Sequence, residues 1–141
     1  ERKDMDVAVD APWLATVEEM TKRGRGLIRK AWGEKAEQEM ANTVTHELLP
    51  GAAAIVDGYH YGEAWARSAL TDKERMVSIL AALMGRGHMK QLRRQIGYAL
   101  NAGLTKREIC ETFSQAGWYR GWPYVEDALT EAKEVFAERG I

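Results

Sequence analysis

Hydrophobic positions recur along most of this chain at steps of three and four, the spacing that gathers side chains on one face of a helix instead of alternating them across a strand. In "MGRGHMKQLRRQIGYALNAGLT", Met84 to Thr105, the stripe is Leu92, Ile96, Ala99 and Leu100. A Gly-Arg-Gly break precedes it and Asn-Ala-Gly follows it, so the spacing predicts one helix of about four turns between two loops. "TDKERMVSILAALMG" places Thr71 and Glu74 in capping-box spacing before an apolar run from Met76 to Met84, which predicts the most buried helix. "TKREICETFSQAGWYRG" repeats the device with Thr105 and Glu108, and "PYVEDALTEAKEVFAERG" opens on proline and closes on glycine, both helix-boundary signals.

The first half gives weaker versions of the same pattern. "DAPWLATVEEMTKRGRGLIRKAWG" reads as a helix with Asp10 as cap, Pro12 in its first turn, and Leu14, Val17, Leu27, Ile28 and Trp32 buried. Gly24 and Gly26 are expected to loosen or break it. "EKAEQEMANTVTHELLPG" reads as one amphipathic helix stopped by Pro50 and Gly51, and "AAAIVDGYHYGEAWARSAL" as another whose small residues allow close helix contact. Strand-like alternation, repeats, linkers and low-complexity segments are absent. The expectation is all-α: a compact bundle of about six or seven helices forming a single domain over residues 1–141.

Composition narrows the function classes. At 141 residues with 45% hydrophobic and 29% charged positions, the chain has the balance of an ordinary globular domain. A formal net charge of -1 supplies no general attraction to nucleic acid. No apolar run approaches the ~18 residues of a membrane span, and no leader pattern opens the chain, so the expected partners include neither nucleic acid nor membrane and the expected location is cytoplasmic. A single cysteine, Cys110, excludes an intrachain disulfide and a multi-cysteine metal site.

The candidate chemistry lies beside the Leu92 stripe. At about 100° per residue, His88, Gln91 and Gln95 fall in one narrow sector at its edge. Such an edge row is equally the mark of a solvated boundary. Glu63 and Arg67 stand four apart and can simply pair along a helix, and Gly62 can simply let two segments approach. His46 and His60 lack partners at metal-ligand spacing and read as structural or surface residues. Arg93 and Arg94 read equally as exposed charges or intersubunit pairs, and the tryptophans as core or interface.

"YHYGEAWARSALTDKERMVSILAAL", "GRGHMKQLRRQIGYALNAGLTKREICETF" and "AGWYRGWP…ALTEAKEVFAE" together resemble the carboxymuconolactone decarboxylase family, the group related to alkyl hydroperoxidase D. "RGLIRKAWG" resembles that family's first helix, so the likeness runs over roughly residues 24–138. It implies an alkyl hydroperoxidase D-like all-helical subunit, assembled as a homo-oligomer, trimer or hexamer, with its site near subunit contacts and with no organic cofactor or metal. The peroxidase-like branch uses a Cys-x-x-Cys pair followed four residues later by histidine. Those positions fall on His88, Gln91 and Gln95, and that branch's upstream glutamate falls on or beside Met76, so peroxide removal by the Cys-x-x-Cys mechanism is not expected, and a remnant thiol peroxidase through Cys110 is a distant third reading.

The resemblance to the decarboxylase branch rests on Gly62-Glu63, Arg75, His88, Arg93 and the Gly-Trp-Pro turn of Gly121 to Pro123. Gln95 stands where that branch commonly has histidine, Tyr98 where it has glycine, and Gly97 where it often has arginine. The implied activity is that of a carboxy-lyase (decarboxylase) or isomerase acting on a small carboxylated lactone or polyketide-like acid. Loss of carbon dioxide leaves an enolate, which needs cations for carboxylates, donors for an oxyanion and a proton source. His88 suits the proton transfer, and Glu63 suits either orienting that imidazole or acting as the catalytic acid-base group itself. Arg86 and Arg93 suit a carboxylate, Gln91, Gln95, Tyr98 and Tyr59 supply polar contacts, and Trp118 and Trp122, with Trp65, suit an apolar wall. The same kit serves a cyclase or dehydratase of a related intermediate, and the lost acid-base groups equally suit a non-catalytic ligand-binding oligomer on the same scaffold.

Overall fold

The computed structural model describes residues 17–141, so Asp10, Pro12 and Leu14 lie outside the described residues. Every regular element in that span is helical, as the periodicity predicts. The chain divides into two compact units, Glu1–Arg67 and Ser68–Ile141.

The first unit is organised around α1, Val17–Trp32, whose ends carry Glu18 and Glu19 at the start and Arg29 and Lys30 at the finish, complementary to the helix dipole. Ile28 and Trp32 are buried as expected, whereas Val17 is 54% exposed. The glycines do not break α1. Gly24 is buried because a Cβ there would collide with the carbonyl oxygen of Asp57, so its role is close approach of two backbones. The stretch expected to be one second helix is two, α2 (Glu34–Ala41) and α3 (Val44–Leu48). The break falls where the Asn42 amide donates back to the Gln38 carbonyl at 2.8 Å and Thr43 turns extended, local side-chain bonding that competes with helix continuation.

The expected third helix also divides. α4, Pro50–Ile55, widens into a π-helical turn, Val56–Tyr61, followed by a 3-10 turn, Ala64–Ala66. This irregular segment lies on α1, and Gly62 makes the approach possible: a Cβ there would overlap the Met20 carbonyl oxygen. Trp32 closes the packing edge-on to Trp65, with ring centroids 4.8 Å apart, and to Tyr61 at 6.0 Å.

The second unit is four helices: α5 (Asp72–Gly85), α6 (Met89–Asn101), α7 (Lys106–Arg120) and α8 (Trp122–Glu138). Both predicted capping boxes form, Thr71 with Glu74 and Thr105 with Glu108. The core interleaves Met76, Leu80 and Met84 of α5 with Leu92, Ile96 and Ala99 of α6, Ile109 and Phe113 of α7, and Val125, Ala128, Ala132 and Phe136 of α8. Contrary to expectation, α5 is not the most buried helix. It buries only that single stripe and leaves Val77 40% exposed, whereas α6 also buries Gln95 and Tyr98.

Candidate functional site

The polar row on α6 descends from solvent into the core of the second unit. His88 is the residue before the helix, with φ -83° and ψ 65°; its ring is exposed and, among the described residues, makes no hydrogen bond. Gln91, one turn further, is exposed and accepts from Arg94 Nη2 at 2.6 Å. Gln95, the next turn, is only 6% exposed, and its Oε1 has no partner among the described residues. Tyr98 lies buried beyond it. The row is therefore one imidazole open to ligands above a buried amide whose acceptor is unmet, a costly state for a group removed from water.

The cations expected to bind a carboxylate differ in availability. Arg86, the residue that ends α5, is exposed and its side chain makes no ion pair among the described residues. Arg93 is committed elsewhere: Glu131 accepts at 3.3 Å, Glu138 at 2.5 Å, and Glu134 also pairs with it, all from α8. Glu138 foremost, and then Glu131, raise the pKa of the guanidinium. Arg93 thus fastens α6 to α8. A further cation reaches α6, on the face away from the row, from a place the sequence does not suggest. Arg139 donates to the Gly97 carbonyl at 3.3 Å and to Asn101 Oδ1 at 3.1 Å, so a guanidinium stands over the position where the decarboxylase-like pattern carries arginine. No local spacing signals this, since the partners are 42 residues apart.

Trp118 and Trp122 do not enclose a pocket within their unit. They form an exposed pair, 74% and 45% exposed with centroids 5.6 Å apart, where α7 passes to α8 through Gly121. Trp122 also donates to Glu126 at 3.0 Å.

Glu63 and Tyr59 belong to the first unit. Glu63 is buried, and both its oxygens accept from Arg67, at 2.9 and 2.6 Å. The bidentate pair raises the Arg67 pKa, with a smaller contribution from Tyr59. The four-residue spacing therefore forms an ion pair, although the segment is a 3-10 turn instead of the expected α-helix. Tyr59 is exposed and Trp65 is buried against Trp32.

Sequence reasoning passed over a buried carboxylate in this unit. Asp57 is 4% exposed and is met by Arg25 and His46. Its partners lie 32 and 11 residues away, on elements whose contact no periodicity encodes. Cys110 is half-buried, and burial pushes its thiol pKa up, away from the thiolate. Among the described residues, no group of three or more His, Cys, Asp or Glu could hold a metal ion, and no helix is long and apolar enough to cross a membrane.

Residues 50–134 match the model of the carboxymuconolactone decarboxylase family. The chain is 35% identical over 94 residues to an uncharacterised 15.0 kDa protein in the nqo9-nqo10 intergenic region of Paracoccus denitrificans, covering 65% of this chain and 70% of that protein. It is 31% identical over 87 residues to the 4-carboxymuconolactone decarboxylase of Acinetobacter baylyi, covering 62% of this chain and 65% of that enzyme. The helical fold and these matches place the chain in the carboxymuconolactone decarboxylase family.

Proposed function

We propose that the chain is a cofactor-independent carboxy-lyase or isomerase of a small carboxylated lactone or polyketide-like acid, with His88 as its acid-base group. The observation that supports this most is the α6 row: an accessible imidazole with no competing partner, above a buried Gln95 whose oxygen lacks a donor. Arg86, two residues before His88 and without an ion pair among the described residues, holds the substrate carboxylate. Release of carbon dioxide leaves an enolate, and His88 delivers the proton to its carbon. The Gln95 amide donates to the developing oxyanion, while its oxygen accepts from a substrate hydroxyl or enol. Arg93 and Glu63, already paired to α8 and to Arg67, take no direct step in this scheme.

Among the described residues no partner orients the His88 ring, which favours a second reading, a non-catalytic oligomer that binds such a ligand. On either reading the exposed Trp118 and Tyr119 support assembly into a homo-oligomer, a trimer or hexamer. The deciding experiment incubates the purified protein with a panel of carboxylated butenolides and β-keto acids, following carbon dioxide and product mass together. Turnover of one member, abolished in His88→Ala with melting temperature unchanged, is the expected result. Undiminished turnover in that variant overturns the assignment, and saturable binding with no turnover of any member favours the second reading.

A further inference from the structure

The polar cluster around Asp57 stands apart from the α6 row and has the order of a nucleophile, a base and an orienting acid. Thr43 occupies the position before α3, where a threonine hydroxyl normally accepts from the first helical amides, yet it caps none of them. Its Oγ1 instead lies 2.8 Å from His46 Nδ1. The other nitrogen of that ring, Nε2, lies 3.0 Å from Asp57 Oδ2, and Arg25 Nη2 donates to the same oxygen at 3.3 Å. Asp57 is buried in the π-helical turn, a distortion of the helix frequent at functional sites. Thr43 is half-buried and the His46 side chain retains 20% of its exposure, so neither is sealed in the core.

For a neutral His46 imidazole, hydrogen-bond chemistry sets the direction of this relay. A buried carboxylate persists as the anion only where donors meet it, and Arg25 and His46 both do so. An ionised Asp57 only accepts, so Nε2 carries the ring proton of the neutral imidazole. Nδ1 then presents its lone pair to the Thr43 hydroxyl, which donates. A hydroxyl donating to an imidazole that is itself oriented by a carboxylate is the geometry of an activated nucleophile.

We propose that Thr43, His46 and Asp57 form a second site that transfers the acyl group of an activated carboxylic ester to the Thr43 hydroxyl. Thr43 Oγ1 attacks the ester carbonyl carbon while its proton passes to His46 Nδ1. The tetrahedral adduct then expels the ester's alkoxy oxygen, which takes that proton from Nδ1. The products are acyl-Thr43 and the free alcohol. Water repeats the two proton transfers on the acyl-threonine, releasing the carboxylic acid and restoring the hydroxyl. Asp57 holds the ring throughout and stabilises it while it is protonated.

The alternative is that these hydrogen bonds only fasten α1 and α3 to the π-helical turn. p-Nitrophenyl acetate separates the two. With the full chain, nitrophenolate release and peptide mass spectrometry are expected to show an acetyl group on Thr43. Thr43→Val keeps the side-chain volume and the His46–Asp57 bond, and it is expected to lower release by at least about tenfold. Thr43→Ser is expected to restore it. Equal release by wild type and Thr43→Val, acetyl found on His46 or on lysines only, or no acetylation at all would each overturn the proposal. Circular dichroism of Thr43→Val confirms that a loss of release is not a loss of fold.

Discussion

The two units reach stability by opposite routes. The unit from Ser68 onward uses long helices, explicit caps and an apolar core in which Met76, Leu80, Leu92, Ile96 and Phe113 are wholly buried. The unit ending at Arg67 uses short or distorted helices, backbone-to-backbone approach at Gly24 and Gly62, and buried carboxylates on Asp57 and Glu63. Regular helices satisfy their own backbone and need only bury a stripe, whereas interrupted ones must find partners for freed polar groups. The polar clusters of the first unit accordingly sit where its helices stop being regular.

The comparison can be broken at several points. The largest effect belongs to the apolar core: Phe113→Ala should cost about 4 kcal/mol, read as a shift of the denaturant midpoint. If the first unit truly depends on backbone contact, Gly62→Ala should approach that loss, at about 3 kcal/mol, because the obstructing atom is a carbonyl oxygen and not a movable side chain. A near-neutral result there would show that the unit tolerates separation of its segments. Gln95→Leu tests a place where the second unit departs from its apolar rule. Removing an unpartnered buried oxygen should raise stability by about 1 kcal/mol while abolishing turnover of any substrate found for the chain. Loss of both together would mean that Gln95 serves the fold.

The smallest effect is read by pH. The Thr105 amide and Lys73 hold the Glu108 carboxyl at about 2, against an ordinary 4.5. Because the folded-state value is depressed, its contribution is fully present above 4.5 and is lost as pH falls toward 2. Glu108→Gln should therefore flatten the acid limb of the stability profile in that window and leave the neutral region nearly flat. An unchanged acid limb would remove Glu108 from the set of groups that stabilise the second unit.

The same contrast explains what could be read from the sequence. The helices of the second unit announce themselves, because Thr71 with Glu74 and Thr105 with Glu108 are local signals that the fold honours. In the first unit, by contrast, the decisive interactions are non-local. Nothing near Gly24 says that it meets the Asp57 backbone, so it reads as a helix breaker, and the same contact lies behind the misread continuity from Ala52 to Leu70. On α6 the spacing of His88, Gln91 and Gln95 is legible, but which of them is buried depends on neighbours elsewhere in the unit. Arg93 looks like a free cation until α8 presents three glutamates to it.

Glu108 has a second attachment, because its oxygens also take hydrogen bonds from Lys73 of α5 at 3.1 and 3.2 Å. Lys73 is the neighbour of Glu74, which closes the cap of its own helix. The first turns of α5 and α7 are thus tied through one lysine, so neither can unwind without loosening the other. In native-state hydrogen exchange their opening amides should behave as one cooperative group, exchanging together and accelerating together when Lys73 is replaced.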